Sequence, residues 1–225
     1  MVVDALKTLF PDDVAIAHGD PRAARSGFLD EEERYVAHAI PRRKREFHAG
    51  RACAGTAMSA LGLKRVPIPA ANDRSPVWPD GVVGSISHCD TLCVAAVGLA
   101  AHGYLSMGLD VEPAEALPAD LFDAICTRQE QDWLEDRPSS ERALLVRTIF
   151  SAKEATYKCQ YPLTGMMMDF QDLEISLGTD SFDATFRKDI KGFTKGTVLP
   201  GSLAVQDDYI FAAMVMTTQS RWNSR

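Results

Sequence analysis

The sequence has no long apolar run. Its longest nearly unbroken stretch, Leu92 to Ala101, falls short of the ~20 residues that a membrane-spanning helix needs, so no membrane span is expected. A secretory leader is not expected either: Ala15-Ile16-Ala17 imitates a cleavage site, but Phe10-Pro11-Asp12-Asp13 sits where the apolar region should be. Paired cysteine spacings are absent. Cys53, Cys89, Cys93, Cys126 and Cys159 are odd in number and contain no C-x-x-C, which argues against a disulfide framework or a zinc site. Small buried thiols in a reducing, cytoplasmic protein are expected instead. An excess of positive charge is also lacking. Lys and Arg number 24 against 31 Asp and Glu, a formal charge of −7, so a nucleic-acid partner is not expected. No internal repeat or low-complexity tract is visible. What remains is an ordinary globular composition, 46% hydrophobic and 24% charged over 225 residues, enough for one large domain or two small ones.

The first sixty residues read as helical. Asp30 is placed to cap a segment Glu31–Ile40 with three glutamates in its first turn, and Pro41 suits the first position of a helix running to Leu61. Residues 66–81 hold four of the twelve prolines and predict an extended loop. Short strands follow at Val82–Ser87, Leu92–Gly98 and Met107–Glu112. Thr127-Arg128-Gln129-Glu130 has capping-box spacing and opens a helix to about Asp136; a longer helix spans about Ser140 to Lys158. The tail returns to strands at Leu173–Leu177 and Asp183–Arg187, then a hairpin of Leu203–Gln206 with Tyr209–Met216 around Asp207-Asp208. Helices and strands come in blocks rather than strict alternation, which predicts an α+β fold with antiparallel pairing.

Four segments carry chemistry-bearing residues. In Gly108-Leu109-Asp110-Val111-Glu112 a strand puts Asp110 and Glu112 on one face and Leu109 and Val111 on the other. Two adjacent carboxylates suit either a solvated strand face or a hard cation such as Mg²⁺. In Phe150-Ser151-Ala152-Lys153-Glu154-Ala155-Thr156-Tyr157-Lys158, apolar residues Leu145, Ile149, Ala152, Thr156 and Cys159 keep one helix continuous through Ser151. Arg147, Ser151, Glu154 and Lys158 then form a second stripe. On an exposed surface Glu154 and Lys158 are an i,i+4 pair contributing only ~0.3–0.5 kcal/mol; facing the D-x-E strand they supply a third carboxylate and a cation. Ser87-His88, preceded by small residues, offers either a hydrogen-bonded strand end or donors for a phosphate. Arg42-Arg43-Lys44-Arg45-Glu46-Phe47-His48-Ala49-Gly50-Arg51 holds five cations and one carboxylate, a formal +4 in an acidic protein. A solvated charged face is one account of it. Arg51, among Ala49, Gly50, Ala52 and Ala54, is different: a buried guanidinium there calls for an anionic partner, and its fork fits phosphate.

Taken in order, RRKREFHAGR (42–51), RSPVWPDGVVGSISH (74–88), GLDVE (108–112) and FSAKEATYK (150–158) resemble the 4′-phosphopantetheinyl transferases of the surfactin- and enterobactin-synthase type. The resemblance extends from about residue 28 to 216 and is loose over 159–201. It implies an α+β pseudo-dimer with the active site in the cleft between two similar halves, here 1–106 and 107–225. The implied activity moves the 4′-phosphopantetheine arm of coenzyme A to a serine of an apo carrier protein and releases 3′,5′-ADP. Asp110, Glu112 and Glu154 would hold Mg²⁺. Glu154 would receive the serine proton, directly or through a water, and Lys158 would neutralise the pyrophosphate. His88 with Ser87 would contact phosphate, Arg43 and Arg51 would grip the 3′-phosphate end, and Arg74 matches a basic loop position.

The implied partners are acyl, peptidyl or aryl carrier domains of fatty-acid, polyketide or nonribosomal-peptide synthases, including those of siderophore and other secondary-metabolite assembly. A monomer is implied, because the trimeric acyl-carrier-protein synthases are roughly half this length. A non-catalytic coenzyme A or carrier-binding module of the same fold is the alternative. A Mg²⁺-dependent phosphohydrolase would share the carboxylates but leave the basic helix unexplained. The resemblance also implies carrier domains that are acidic near their serine, so docking is expected on a local patch. Met166, Met167, Met168 and Phe170 with Arg187, Lys188, Lys191 and Lys195 suit one, and core packing is the competing account of the methionines.

Overall fold

A computed structural model of the chain describes residues 2–23 and 29–220. Among these residues eight strands form two antiparallel sheets. The smaller contains β1 (Ala15–Gly19), β2 (Val82–His88) and β3 (Cys93–Leu99) in the order β1-β3-β2. The larger contains β4 (Tyr104–Pro113), β5 (Leu173–Leu177), β6 (Ser181–Phe186), β7 (Val198–Gln206) and β8 (Tyr209–Thr217) in the order β4-β8-β7-β6-β5. Helix α1 (Val2–Thr8) and the single turn α2 (Asp30–Glu33) precede the long helix α3 (Pro41–Ala60). Short helices α4 (Phe122–Ile125) and α5 (Arg128–Glu135) lead into α6 (Ser139–Thr164). The α+β architecture follows the blockwise order of elements.

Each sheet has its own helix. Helix α3 presents Ala49, Cys53, Ala54, Ala57 and Met58 to Cys93, Ala95 and Val97 of β3, and small side chains let it lie close: a methyl on Gly50 would meet Ile86 at 2.9 Å. Helix α6 packs Ile149, Ala152, Ala155 and Cys159 against the larger sheet. Alternation along the strands then joins the two sheets. Val94 and Ala96, on the other face of β3, share a core with Met107, Leu109 and Val111 of β4 and Phe211 and Ala213 of β8.

That arrangement leaves Gly108, Asp110 and Glu112 on the α6 side of β4, as period-two alternation requires. Gly108 sets the distance. A Cβ there would stand 1.8 Å from the Ala155 carbonyl oxygen, so only glycine lets the helix backbone press against the strand, and the carboxylates two and four residues on come within reach of it.

Two expectations for the first sixty residues fail. Ala15–Gly19 is strand, paired from Ala15 opposite Val97 to Gly19 opposite Cys93; five residues carry too little period of their own, and the open edge of β3 decides. The helix expected over 31–40 ends at Glu33, and Leu29 rather than Asp30 caps it. Glu32 turns inward, where its carboxylate accepts from Leu29 N and Ile68 N, both at 2.9 Å, and the chain breaks into turns to reach Pro41. Helix α6 runs past its expected end at Lys158. It passes Pro162 in its last turn and stops at Gly165, whose φ of 66° is left-handed. The Asp207-Asp208 hairpin forms as expected, with φ of 52° and 65° at the two aspartates.

Candidate functional site

The edge strands of the two sheets, β2 and β4, meet through side chains rather than a backbone ladder. Ser85 Oγ accepts from Leu109 N at 3.0 Å, and Ser87 Oγ from Val111 N at 3.2 Å. Two serines at i and i+2 point to one face of β2 and so satisfy alternate amides of β4. Ser87 Oγ also donates to Asp110 Oδ1 at 2.9 Å and accepts from Lys158 Nζ at 3.0 Å. Lys158 Nζ closes the triangle on Asp110 Oδ1 at 2.7 Å. Ser87 of the smaller sheet and Lys158 of α6 therefore converge on a single carboxylate oxygen of the larger sheet.

Asp110 is buried, and among the described residues its other oxygen, Oδ2, has no hydrogen-bond partner. Ser151 Oγ, buried on the same α6 stripe, is also unpartnered there. Leaving such atoms unpaired costs about 1–3 kcal/mol each, more for a charged group, so Asp110 Oδ2 marks a place made for something else. Burial pushes Glu112 up to about 6, helped by the charge of Asp110 and opposed by Arg147. Glu154 is raised by burial and by Asp110, against Lys158. Lys158 is held above its ordinary value: burial pulls it down, but Asp110 and Glu154 outweigh that. The cluster is thus short of positive charge. No three His, Cys, Asp or Glu side chains among the described residues form a ready metal cage; Lys158 and Arg147 hold one oxygen each of Asp110 and Glu112. The donors still fit a hard cation: all are carboxylate oxygens, one is buried and unpaired, and two belong to groups that resist ionising beside Asp110.

A raised carboxylate makes the folded state less stable once it ionises. The stability associated with Glu112 is fully present below the unfolded value near 4.5 and is lost as pH rises through about 6. In cation-free protein, Glu112→Gln is expected to remove that loss, a gain relative to wild type of about 2 kcal/mol at most, seen as melting curves that converge at pH 4.5 and separate above pH 6. Parallel melting profiles across that window would contradict the assignment.

His88 ends β2 beside this cluster. Its Nε2 accepts from Arg43 Nη1 at 3.1 Å and lies 3.8 Å from Glu46. Burial foremost lowers its pKa, with Arg43 and Lys158 adding to the effect and Glu46 opposing it, so the ring is neutral at pH 7. The basic segment of α3 is less free than its formal charge suggests. Arg42 pairs with Glu46 at 2.9 Å and with Asp90, and Lys44 with Glu33 at 3.3 Å.

Arg51 is buried, but its compensation is internal. Nε donates to Ile68 O at 2.9 Å and Nη2 to Pro69 O at 3.3 Å, and the guanidinium lies 4.2 Å over the Phe47 ring. Burial lowers it to about 10 against the charge of Glu32. These contacts offset part of the cost of burying it.

Two clefts flank the Asp110–Lys158 pair. One of about 410 Å³ is lined by Arg74, Trp78, Ser85, Tyr157, Lys158 and Tyr161 among others. The second, about 620 Å³, is lined by residues that include Arg42, His88, Thr91, Glu112 and Arg147. Arg74 is exposed, with φ of 73° in the left-handed region. The structure thus brings Ser87, Asp110 and Lys158 into direct contact and sets His88 with Arg43. It places Arg51 against the 68–69 backbone and Arg74 across the first cleft. Met166 and Met167 are exposed, whereas Met168 packs on the core.

Two residues lacked an assigned role in the sequence. Ser85 was legible from its i,i+2 relation to Ser87. Arg147 was legible as the N-terminal member of the Ser151–Glu154–Lys158 stripe, and it grips Glu112 Oε2 at 2.6 Å.

Residues 31–98 match the family model described as the 4′-phosphopantetheinyl transferase N-terminal domain, and residues 106–213 that of the 4′-phosphopantetheinyl transferase superfamily. The chain is 36% identical over 205 residues to 4′-phosphopantetheinyl transferase PptT of Mycobacterium tuberculosis, covering 89% of this chain and 88% of that protein. It is 38% identical over 163 residues to 4′-phosphopantetheinyl transferase Svp of Streptomyces mobaraensis, covering 72% and 66%. Enterobactin synthase component D of Escherichia coli K12 is 37% identical over 123 residues, 54% of this chain and 56% of that protein.

Proposed function

The chain belongs to the 4′-phosphopantetheinyl transferase superfamily, and from that premise we propose that it transfers the 4′-phosphopantetheine arm of coenzyme A to a serine of an apo carrier protein, releases 3′,5′-ADP and requires Mg²⁺. The observation that carries the reading is the Ser87–Asp110–Lys158 triangle with the unpaired Asp110 Oδ2 beside it.

In this reaction the carrier serine oxygen bonds to the β-phosphorus of coenzyme A, and the bond from that phosphorus to the bridging oxygen of 3′,5′-ADP breaks. Negative charge builds on the pyrophosphate, and fixed cations that stabilise it supply most of the catalysis. Asp110, Glu112 and Glu154 would hold Mg²⁺, which when bound supplies Lewis-acid stabilisation of the pyrophosphate oxygens. Lys158, kept protonated by its carboxylate neighbours, neutralises the leaving 3′,5′-ADP. Glu154, whose pKa burial raises, takes the serine proton directly or through a water. His88 and Ser87 contact phosphate. Arg43 reaches the nucleotide end of coenzyme A, Arg51 supports that end by fixing the 68–69 backbone, and Arg74 lines the opposite cleft.

The partners are acyl, aryl or peptidyl carrier domains, those of siderophore and other secondary-metabolite synthases among them, and the protein acts as a cytoplasmic monomer of two halves joined near residues 106–107. Among the described residues no helix is long and apolar enough to cross a membrane. The exposed Met166 and Met167 support a carrier-docking patch there.

The test is intact-mass analysis of a panel of apo acyl, aryl and peptidyl carriers after incubation with the purified chain, coenzyme A and Mg²⁺. At least one carrier gains a phosphopantetheine group. No adduct on any carrier, with coenzyme A still bound by calorimetry, would favour the non-catalytic binding module.

A further inference from the structure

Arg147 is a strongly engaged side chain at the site that the transfer chemistry does not use. Its fork reaches three acceptors at the end of β4: Nη1 to Glu112 Oε2 at 2.6 Å, Nε to Glu115 O at 2.8 Å and Nη2 to Ala116 O at 3.1 Å. The two carbonyls fix the guanidinium relative to the backbone, so the carboxylate it holds is fixed as well. Among the described residues no hydrogen bond reaches Glu112 Oε1.

Asp110 is treated the same way. Ser87 and Lys158 both take Oδ1, and Oδ2 is left unpaired. Each carboxylate of the D-x-E pair therefore has one oxygen held by a protein cation and one oxygen open. That pattern separates hard cations by their coordination habits. Mg²⁺ keeps to octahedral geometry at about 2.0–2.1 Å with few protein ligands, whereas Ca²⁺ takes 6–8 oxygens at about 2.3–2.6 Å and readily binds a carboxylate through both.

We propose that Arg147 is a specificity-determining residue that makes Glu112 a one-oxygen ligand and so biases the site toward Mg²⁺ over Ca²⁺. The inference rests on the reading of Asp110, Glu112 and Glu154 as the cation site. Removing the guanidinium frees Oε2, permits two-oxygen binding and favours the larger ion. Removing a positive charge by itself strengthens both ions alike, so the ratio of affinities isolates the geometric effect.

The experiment measures Mg²⁺ and Ca²⁺ binding by calorimetry, each added as its chloride to the full chain saturated with coenzyme A, in wild type, Arg147→Met and Arg147→Lys. Wild type prefers Mg²⁺. Arg147→Met shifts the Mg²⁺:Ca²⁺ affinity ratio toward Ca²⁺ by about tenfold, the lower end of what partners behind a metal ligand usually control. Arg147→Lys keeps the aliphatic stem and charge but not the three-point fork; it shifts the ratio in the same direction by less and carries the test alone if the methionine variant does not fold. A ratio within twofold of wild type in the folded variants overturns the inference. So does a wild type without preference for Mg²⁺, which leaves the cation site standing. A wild type that binds neither ion contradicts the cation site itself, and the inference falls with it.

Discussion

Asp110→Ala is expected to lower transfer activity by about 10²–10³-fold, the scale of losing a fixed electrostatic group at a reacting centre, while the chain stays folded. The geometry separates the two effects. Asp110 Oδ1 is the common acceptor of Ser87 and Lys158, so its loss unfastens the contact between the sheets and α6 at one point only. The Leu109 and Val111 amides keep Ser85 and Ser87 as acceptors, and the partly exposed Lys158 ammonium can rehydrate. Asp110→Asn sharpens the comparison, because its amide oxygen still accepts both hydrogen bonds without the charge. Both variants are expected to show that loss in the intact-mass assay, with melting temperatures within a few degrees of wild type. Full turnover in either would show that the carboxylate takes no part in chemistry.

Lys153→Met is expected to cost about 3–5 kcal/mol of stability, the penalty for leaving one member of a buried ion pair unpaired. Lys153 and Glu130 are each 1% exposed and meet at 2.7 Å. Lys153 Nζ also donates to Ile125 O at 2.7 Å and Phe170 O at 2.9 Å. Glu130 accepts from Thr127 N and Ile175 N, both at 2.6 Å, so one pair ties the start of α5, the edge strand β5 and the middle of α6. Glu154, the next residue, depends on that anchorage for its position. Urea unfolding monitored by circular dichroism gives the measurement. Adding Glu130→Gln to Lys153→Met removes the stranded charge while keeping an acceptor, and is expected to recover part of the loss. A Lys153→Met loss under 1 kcal/mol would mean that Glu130 is neutral or hydrated in the folded state.

How far the sequence reached depended on the range of the interactions involved. The Thr127 capping box, the Asp207-Asp208 turn and the alternation of Leu109 and Val111 against Asp110 and Glu112 are local rules, and all appear in the fold. Strand β1 was not legible, because Ala15–Gly19 is specified by the edge it joins. Nor was the early end of the helix at Glu33, since the signal is Glu32 reaching Ile68, thirty-six residues away. At the candidate site the stripe Arg147–Ser151–Glu154–Lys158 could be read from spacing, but its facing β4 could not. That rests on the close approach at Gly108, which no pattern within either segment reveals. Arg51 shows the reverse limit. A buried guanidinium among small residues suggested an anion, and the contacts it makes are two carbonyls and an aromatic ring, with the charge of Glu32 nearby.

The cation site is tested most directly by the anomalous scattering of Mn²⁺ in a crystal of the chain grown with coenzyme A. One manganese peak is expected, bounded by Asp110 Oδ2, Glu112 and Glu154, with the coenzyme A pyrophosphate against it and Lys158 in contact with that pyrophosphate. A coenzyme A molecule bound elsewhere, or a manganese peak away from Asp110 while Oδ2 stays unpaired, would contradict it.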